Sequence, residues 1–85
     1  MSYSVTWDRD AEAELAACWL AARDRQRLAE ACARIDAILA TSPEEAGESR
    51  EPGRRLMYVD PLWVRFEVDA SRRRVLVSSV WRIDG

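Results

Sequence analysis

The sequence predicts an α+β fold, ordered β-α-α-β-β-β, in which an antiparallel sheet carries an αα-hairpin on one face. Three observations predict it. The last third, Arg55 to Arg82, reads as three short strands in a row, RRLMYV, LWVRFEV and RRVLVSSVWR. Within it Leu62, Val64, Phe66 and Val68 alternate strictly with Trp63, Arg65 and Glu67, so one side of the pleat is apolar and the other polar. Ahead of it, Arg9 to Ala40 holds two runs of helical periodicity, each with a single apolar stripe that needs a partner surface.

Taken in order, Tyr3 to Trp7 alternates and is rich in β-branched and aromatic residues, which makes it a first strand. Asp8 is placed to cap a helix from about Arg9 to Ala22. Acids at Asp10, Glu12 and Glu14 suit the positive end of its dipole. Its stripe is Ala11, Leu15, Cys18, Trp19 and Ala22. A short polar break follows, and Asp24 is placed to cap a second helix running to about Ala40, with Leu28, Ala31, Cys32, Ile35, Ile38 and Leu39 on one side. Thr41-Ser42-Pro43 ends it, because proline disfavours helical geometry in the preceding residue.

Glu44 to Gly53 has no periodicity and is expected to be a surface loop of roughly ten residues, longer than the usual median of about 4 to 6. The second strand opens at Arg54-Arg55 and ends at Val59. Asp60-Pro61 turns into the third strand, Asp69-Ala70-Ser71-Arg72 turns into the fourth, and Ile83-Asp84-Gly85 is left as a tail. Strands joined by tight turns are antiparallel, so these three form a meander, and the first strand must pair with one of its edges.

The chain's 85 residues suit one domain, residues 1 to 85, too small for a deep active-site cavity. With 48% hydrophobic and 33% charged residues it has the composition of an ordinary soluble globular protein. No apolar run is long enough to span a bilayer, and the N-terminus lacks the pattern of a signal peptide, so the expected compartment is the cytoplasm and no membrane partner is expected. Charge is divided: Met1 to Ser49 carries five arginines against ten acids, and Arg50 to Gly85 eight arginines against five acids. A pI near 5.1 is far from that of a dedicated nucleic-acid binder. Every basic residue is arginine, which stays protonated, and the absence of histidine excludes imidazole chemistry. Cys18 and Cys32 form no CxxC pair and have no histidine beside them, so no metal and no cofactor is expected. They flank the expected helical turn and are read as two buried, inert thiols.

The order of elements, the acidic start of the first helix after a YxVxW strand, and the stretches GESREPGRRLMYVDPLWVRFEVD and VLVSSVWR together resemble the RelE/ParE superfamily of bacterial type II toxin–antitoxin toxins, from Tyr3 to Arg82. The resemblance implies a toxin neutralised by a cognate antitoxin, of the kind associated with plasmid stabilization. RelE-like members cut mRNA on the ribosome by promoting 2′-hydroxyl attack on the adjacent phosphate, whereas ParE-like members poison DNA gyrase and cut nothing. It also implies site residues. The superfamily's YRxxY pattern has an arginine three positions before an aromatic, and here Trp63 stands three before Phe66, with Arg65 two residues on and on the same side. Arg50, Arg54 and Arg55 stand where nuclease members place basic residues, and Arg82, beside Trp81, is the basic residue near the chain end.

RNA cleavage by this route needs a base, cations for the developing phosphorane charge and an acid for the 5′-oxygen. Arg54, Arg55, Arg65 and Arg82 are expected to converge as cations, which makes Arg65, Arg82 and Glu67 the candidate catalytic set. Pairing with Arg65 would weaken Glu67 as a base, and Tyr58 is an acid only if it faces out. An outward Trp63 amid arginines serves to stack on a base or to anchor a protein, and the enrichment of Trp and Arg at interfaces favours the second. The expectation is a toxin whose open sheet face, with Arg50, Arg54, Arg55, Trp63 and Trp81, binds an antitoxin and a target. An endoribonuclease is the enzymatic option, and a non-toxic interaction module or homodimer of the same fold is the alternative.

Overall fold

The structure, a computed structural model, describes residues 2–82. The elements are β1 (Ser4–Trp7), α1 (Arg9–Ala21), α2 (Arg25–Thr41), β2 (Glu48–Glu51), β3 (Arg54–Val59), β4 (Leu62–Asp69) and β5 (Arg74–Arg82). They build a sheet in the order β1-β5-β4-β3-β2. The tail expected at Ile83-Asp84-Gly85 lies outside the described residues.

Both expected N-caps form. The Asp8 carboxylate accepts from the Asp10 N–H at 2.7 Å and that of Asp24 from the Arg27 N–H at 3.0 Å, each satisfying a donor that the first helical turn leaves open. At the other end of α1, Arg25 Nε donates to the Trp19 carbonyl at 3.2 Å. Leu28, Ala31, Ile35 and Leu39 of α2 are buried against Met57, Val59, Leu62, Val64, Phe66, Val75, Val77 and Val80 of the sheet, which is the two-layer solution that a one-sided sheet requires. In α1 only Ala11 is fully buried. Leu15, Cys18 and Trp19 are half-buried, and Leu20 stands 81% exposed. Both cysteines are free and half-buried, and burial raises each thiol's pKa.

The β3-β4-β5 meander is antiparallel as expected, but the sheet as a whole is mixed. β1 pairs with β5 in parallel, Val5 opposite Val75 and Trp7 opposite Val77. A parallel neighbour is possible because the whole helical hairpin and meander intervene between the two strands. The ten-residue loop is also corrected: its second half is a strand, β2, paired antiparallel with β3. Pro52-Gly53 makes the connecting turn, with Gly53 at φ +79°, where a side chain is strained.

One irregularity governs the site. Between Arg65 and Phe66 of β4 the β5 register skips a residue, Arg65 facing Ser79 and Phe66 facing Val77, so that Ser78 is bulged. Ser78 Oγ donates to the Arg65 carbonyl at 3.2 Å. Alternation from Val75 alone would carry Trp81 inward with Val77. The bulge instead buries Val80, turns Trp81 to the open face and turns Arg82 to the helical side.

Candidate functional site

The open face is read row by row from the strand register. Tyr58, Trp63 and Trp81 lie side by side on β3, β4 and β5, and the next row is Leu56, Arg65 and Ser79. Beyond it stand Arg54, Glu67 and Leu76. Tyr58 and Trp63 pack with ring centroids 5.1 Å apart and planes tilted by 48°. The Arg65 guanidinium sits over the Trp81 ring, 5.4 Å from its centroid, a cation–π contact across the strand diagonal. Trp63 is half-buried among these neighbours. Its indole Nε1 is closed off from solvent and has no hydrogen-bond partner, a donor that costs about 1 to 3 kcal/mol to leave unsatisfied.

Alternation along β3 separates the two arginines that open it. Arg54 faces out and reaches Glu51 at 3.4 Å, while Arg50 reaches Glu48 at 3.4 Å, both exposed pairs worth about 0 to 1 kcal/mol. With Arg65 and Leu56 they line a shallow depression at the β2 side of the face. Arg55 borders the same depression from the other side of the pleat. It stands in register with the buried Phe66, and its guanidinium donates to the carbonyls of Ala46 at 2.7 Å and Gly47 at 3.2 Å, which ties down the turn before β2.

Arg82 is likewise removed from the open face. In register with the buried Leu62, it lines a notch with Cys18, Arg27, Leu28 and Pro61 at the base of the helical hairpin. The expected convergence of Arg54, Arg55, Arg65 and Arg82 therefore holds only in part: the first three border one depression, Arg55 from across the pleat, and the β5 bulge diverts Arg82. Arg65 and Glu67, neighbours on one side of β4, form no ion pair with each other. Arg65 is held by Trp81, and among the described residues Glu67 has no ion-pair partner.

Tyr58 does face out and is 51% exposed, but its hydroxyl donates to Asp60 Oδ1 at 2.9 Å. Asp60 also pairs with Arg27 of α2, whose Nε lies 2.9 Å from Oδ2. The hydrogen bonds from Arg27 and then Tyr58 hold the Asp60 carboxyl below the usual carboxylate range. A phenol already donating to a stable carboxylate is poorly placed to act as an acid. Among the described residues no cluster of His, Cys, Asp and Glu suits a metal ion, and no helix is long and apolar enough to cross a membrane.

The site is thus an aromatic row flanked by guanidinium groups. The structure brings the expected residues Trp63, Trp81, Arg65, Arg54 and Arg50 to this face and adds Tyr58 as a member of the row. The signal for Tyr58 was available, since it stands two residues after Leu56 and four after Arg54 on the same side of the pleat.

By sequence the chain matches no family model and no curated protein. Its structure is similar to a chain of the toxin–antitoxin complex RelBE2 from Mycobacterium tuberculosis, at a TM-score of 0.77 and 16% identity over 100% of this chain and 95% of that one. It is also similar to a chain of the chromosomal ParDE toxin–antitoxin system from P. aeruginosa, at a TM-score of 0.69 and 20% identity over 95% and 96%. Likeness at these identities is likeness of fold, and it spans nearly the whole of each chain. By its fold this chain is RelE/ParE-like.

Proposed function

We propose that the chain is the toxin of a type II toxin–antitoxin pair and acts by binding. Its open sheet face engages a cognate antitoxin and, when released, a cytoplasmic target, either the ribosome with its mRNA or DNA gyrase. The observation that carries this reading is the row Tyr58-Trp63-Trp81 with Arg65 stacked on Trp81. Trp, Tyr and Arg are the residue types that dominate interface energetics. The structural neighbours are chains of toxin–antitoxin complexes, which supports the antitoxin as a partner.

Binding is favoured over cutting because the groups that cleavage would need are dispersed. Arg82 is on the helical side, Arg65 is stacked on Trp81 and not paired with Glu67, and the Tyr58 hydroxyl donates to Asp60. Induced expression in a bacterial host tests the reading. Growth should arrest and should resume when the product of an adjacent, helix-rich reading frame is co-expressed. Trp63→Ala and Arg65→Ala should abolish arrest, and Arg82→Ala should not. Unimpaired growth with no adjoining antitoxin gene would instead favour a non-toxic interaction module or homodimer. New codon-positioned transcript ends would restore the endoribonuclease.

A further inference from the structure

The two edges of the sheet are built differently. β2 closes one edge with Glu48-Ser49-Arg50-Glu51, a four-residue strand rich in charge and broken by a register shift, the usual protection against another chain pairing there. β1 closes the other with Ser4-Val5-Thr6-Trp7, which has no charge, no proline and no bulge. Its backbone groups alternate in direction. The N–H of Ser4 goes to the Arg73 carbonyl and that of Asp8 to the Val77 carbonyl, both on the β5 side. In a parallel ladder the residues between them that share this direction spend their groups on β5, so those of Val5 and Trp7 point to the outer edge. At its start the outer edge is closed by α2, where the Tyr3 N–H meets the Ala40 carbonyl at 2.7 Å. Among the described residues no backbone group meets the amides of Val5 and Trp7 on that side.

Beside that edge runs a groove of about 610 Å³ between β1 and the two helices. Its apolar lining is Val5, Trp7, Leu15, Trp19 and Cys32, all half-buried. Its charged lining is Glu12 and Asp36, with no arginine. Asp36 is fixed there by the Trp7 indole N–H at 3.2 Å.

We infer that the β1 edge and this groove form a second docking surface, separate from the open face, for an extended segment of a partner protein that alternates basic and apolar residues. The segment adds as a strand beside β1, taking the free N–H and C=O groups of Val5 and Trp7. Apolar side chains on one side of it enter the groove against Trp7 and Trp19. The choice of a basic segment follows from charge complementarity, because the rim holds two acids and no base. The inference does not depend on toxicity or on Arg65.

The test uses the full isotope-labelled chain and an end-blocked synthetic peptide alternating arginine with valine, alongside a counterpart with glutamate in place of arginine. In the free chain the amides of Val5 and Trp7 should exchange rapidly and that of Thr6 slowly. The basic peptide should protect Val5 and Trp7 and shift the indole resonances of Trp7 and Trp19. Glu12→Lys should weaken it by about tenfold, and Arg65→Ala should leave it unchanged. Three results would overturn the inference: shifts confined to Trp63 and Trp81, equal binding of the acidic peptide, or no binding at millimolar concentration. Protection of Val5 and Trp7 in the free chain that grows with concentration would assign the edge to a second copy and also overturn it. The Arg65→Ala protein keeps this test distinct from the open face, since loss of growth arrest in that variant leaves peptide binding intact.

Discussion

The Glu14 carboxylate accepts the backbone N–H of Val80 at 3.1 Å, joining the middle of α1 to the far end of β5 across 66 positions of sequence. Ser79 Oγ donates to the same carboxylate at 3.1 Å. β1 is too short to pair with β5 beyond Val77, so the Val80 amide has no neighbouring strand on that side. The side chain from α1 substitutes for one. Glu14→Ala should therefore destabilise by about 1 to 3 kcal/mol, the cost of an orphaned donor, and Glu14→Gln by less. Urea denaturation of the two variants distinguishes this from a surface carboxylate whose removal changes nothing.

Two glycines have positive φ but unequal surroundings. A Cβ on Gly47 would lie 2.1 Å from the Leu56 carbonyl oxygen and 2.6 Å from the Met57 Cβ, whereas one on Gly53 would meet nothing closer than the Val68 oxygen at 3.5 Å. Gly53→Ala should cost only backbone strain, on the order of 1 to 2 kcal/mol. Gly47→Ala should cost distinctly more, because β3 must move to admit it. Equal unfolding midpoints for the two would contradict this.

Asp60 links α2, through Arg27, to the β3-β4 turn and Tyr58. Its folded pKa is depressed, so its contribution to stability is complete above the unfolded carboxylate value and is lost as pH falls through the lower folded one. Asp60→Asn should be less stable than the parent at neutral pH. The gap should close on acidification below about pH 4. A difference in melting temperature that stays constant down to pH 2 would argue against the linkage.

Trp63→Phe removes a buried indole N–H that lacks an acceptor while keeping a ring beside Tyr58. Stability should hold within about 1 kcal/mol, because the lost area is offset by relief of the unsatisfied donor. A fall of more than about 2 kcal/mol would mean that the N–H has a hydrogen bond in solution.

In the core, Ile35 is fully enclosed and Leu15 only half so. Ile35→Ala should cost about 2 to 5 kcal/mol, as enclosed cavities do. Leu15→Ala should cost clearly less, since water can enter the groove that it borders. Matched chemical denaturation of the pair checks the ranking.

Much of this was legible in the sequence because it rests on local periodicity. Leu62 to Val68 alternates, Leu28 to Leu39 repeats with the helix, and Asp8 and Asp24 sit where caps belong. β2 was hidden because Glu-Ser-Arg-Glu has no apolar residue, and its only sign was the Pro52-Gly53 turn shared with β3. The parallel pairing of β1 is a long-range choice of edge and direction that no short window encodes. At the site, Trp63 and Arg65 followed from alternation. Arg55 lies across the pleat from Arg54 yet borders the same depression, and Arg82 was misplaced by leaving β5 without an assigned phase.

That phase turns on Ser78. With it bulged, Trp81 belongs to the contact surface and Arg82 to the helical side; with one residue fewer, the two would change places while their letters stayed the same. Chain length at a single point in β5, rather than the identity of any side chain, decides which chemistry the surface displays. Chains of this fold that align Trp81 with Trp81 and Arg82 with Arg82 can therefore present opposite residues to their partners. An alignment becomes comparable at these two positions only after the bulge has been counted.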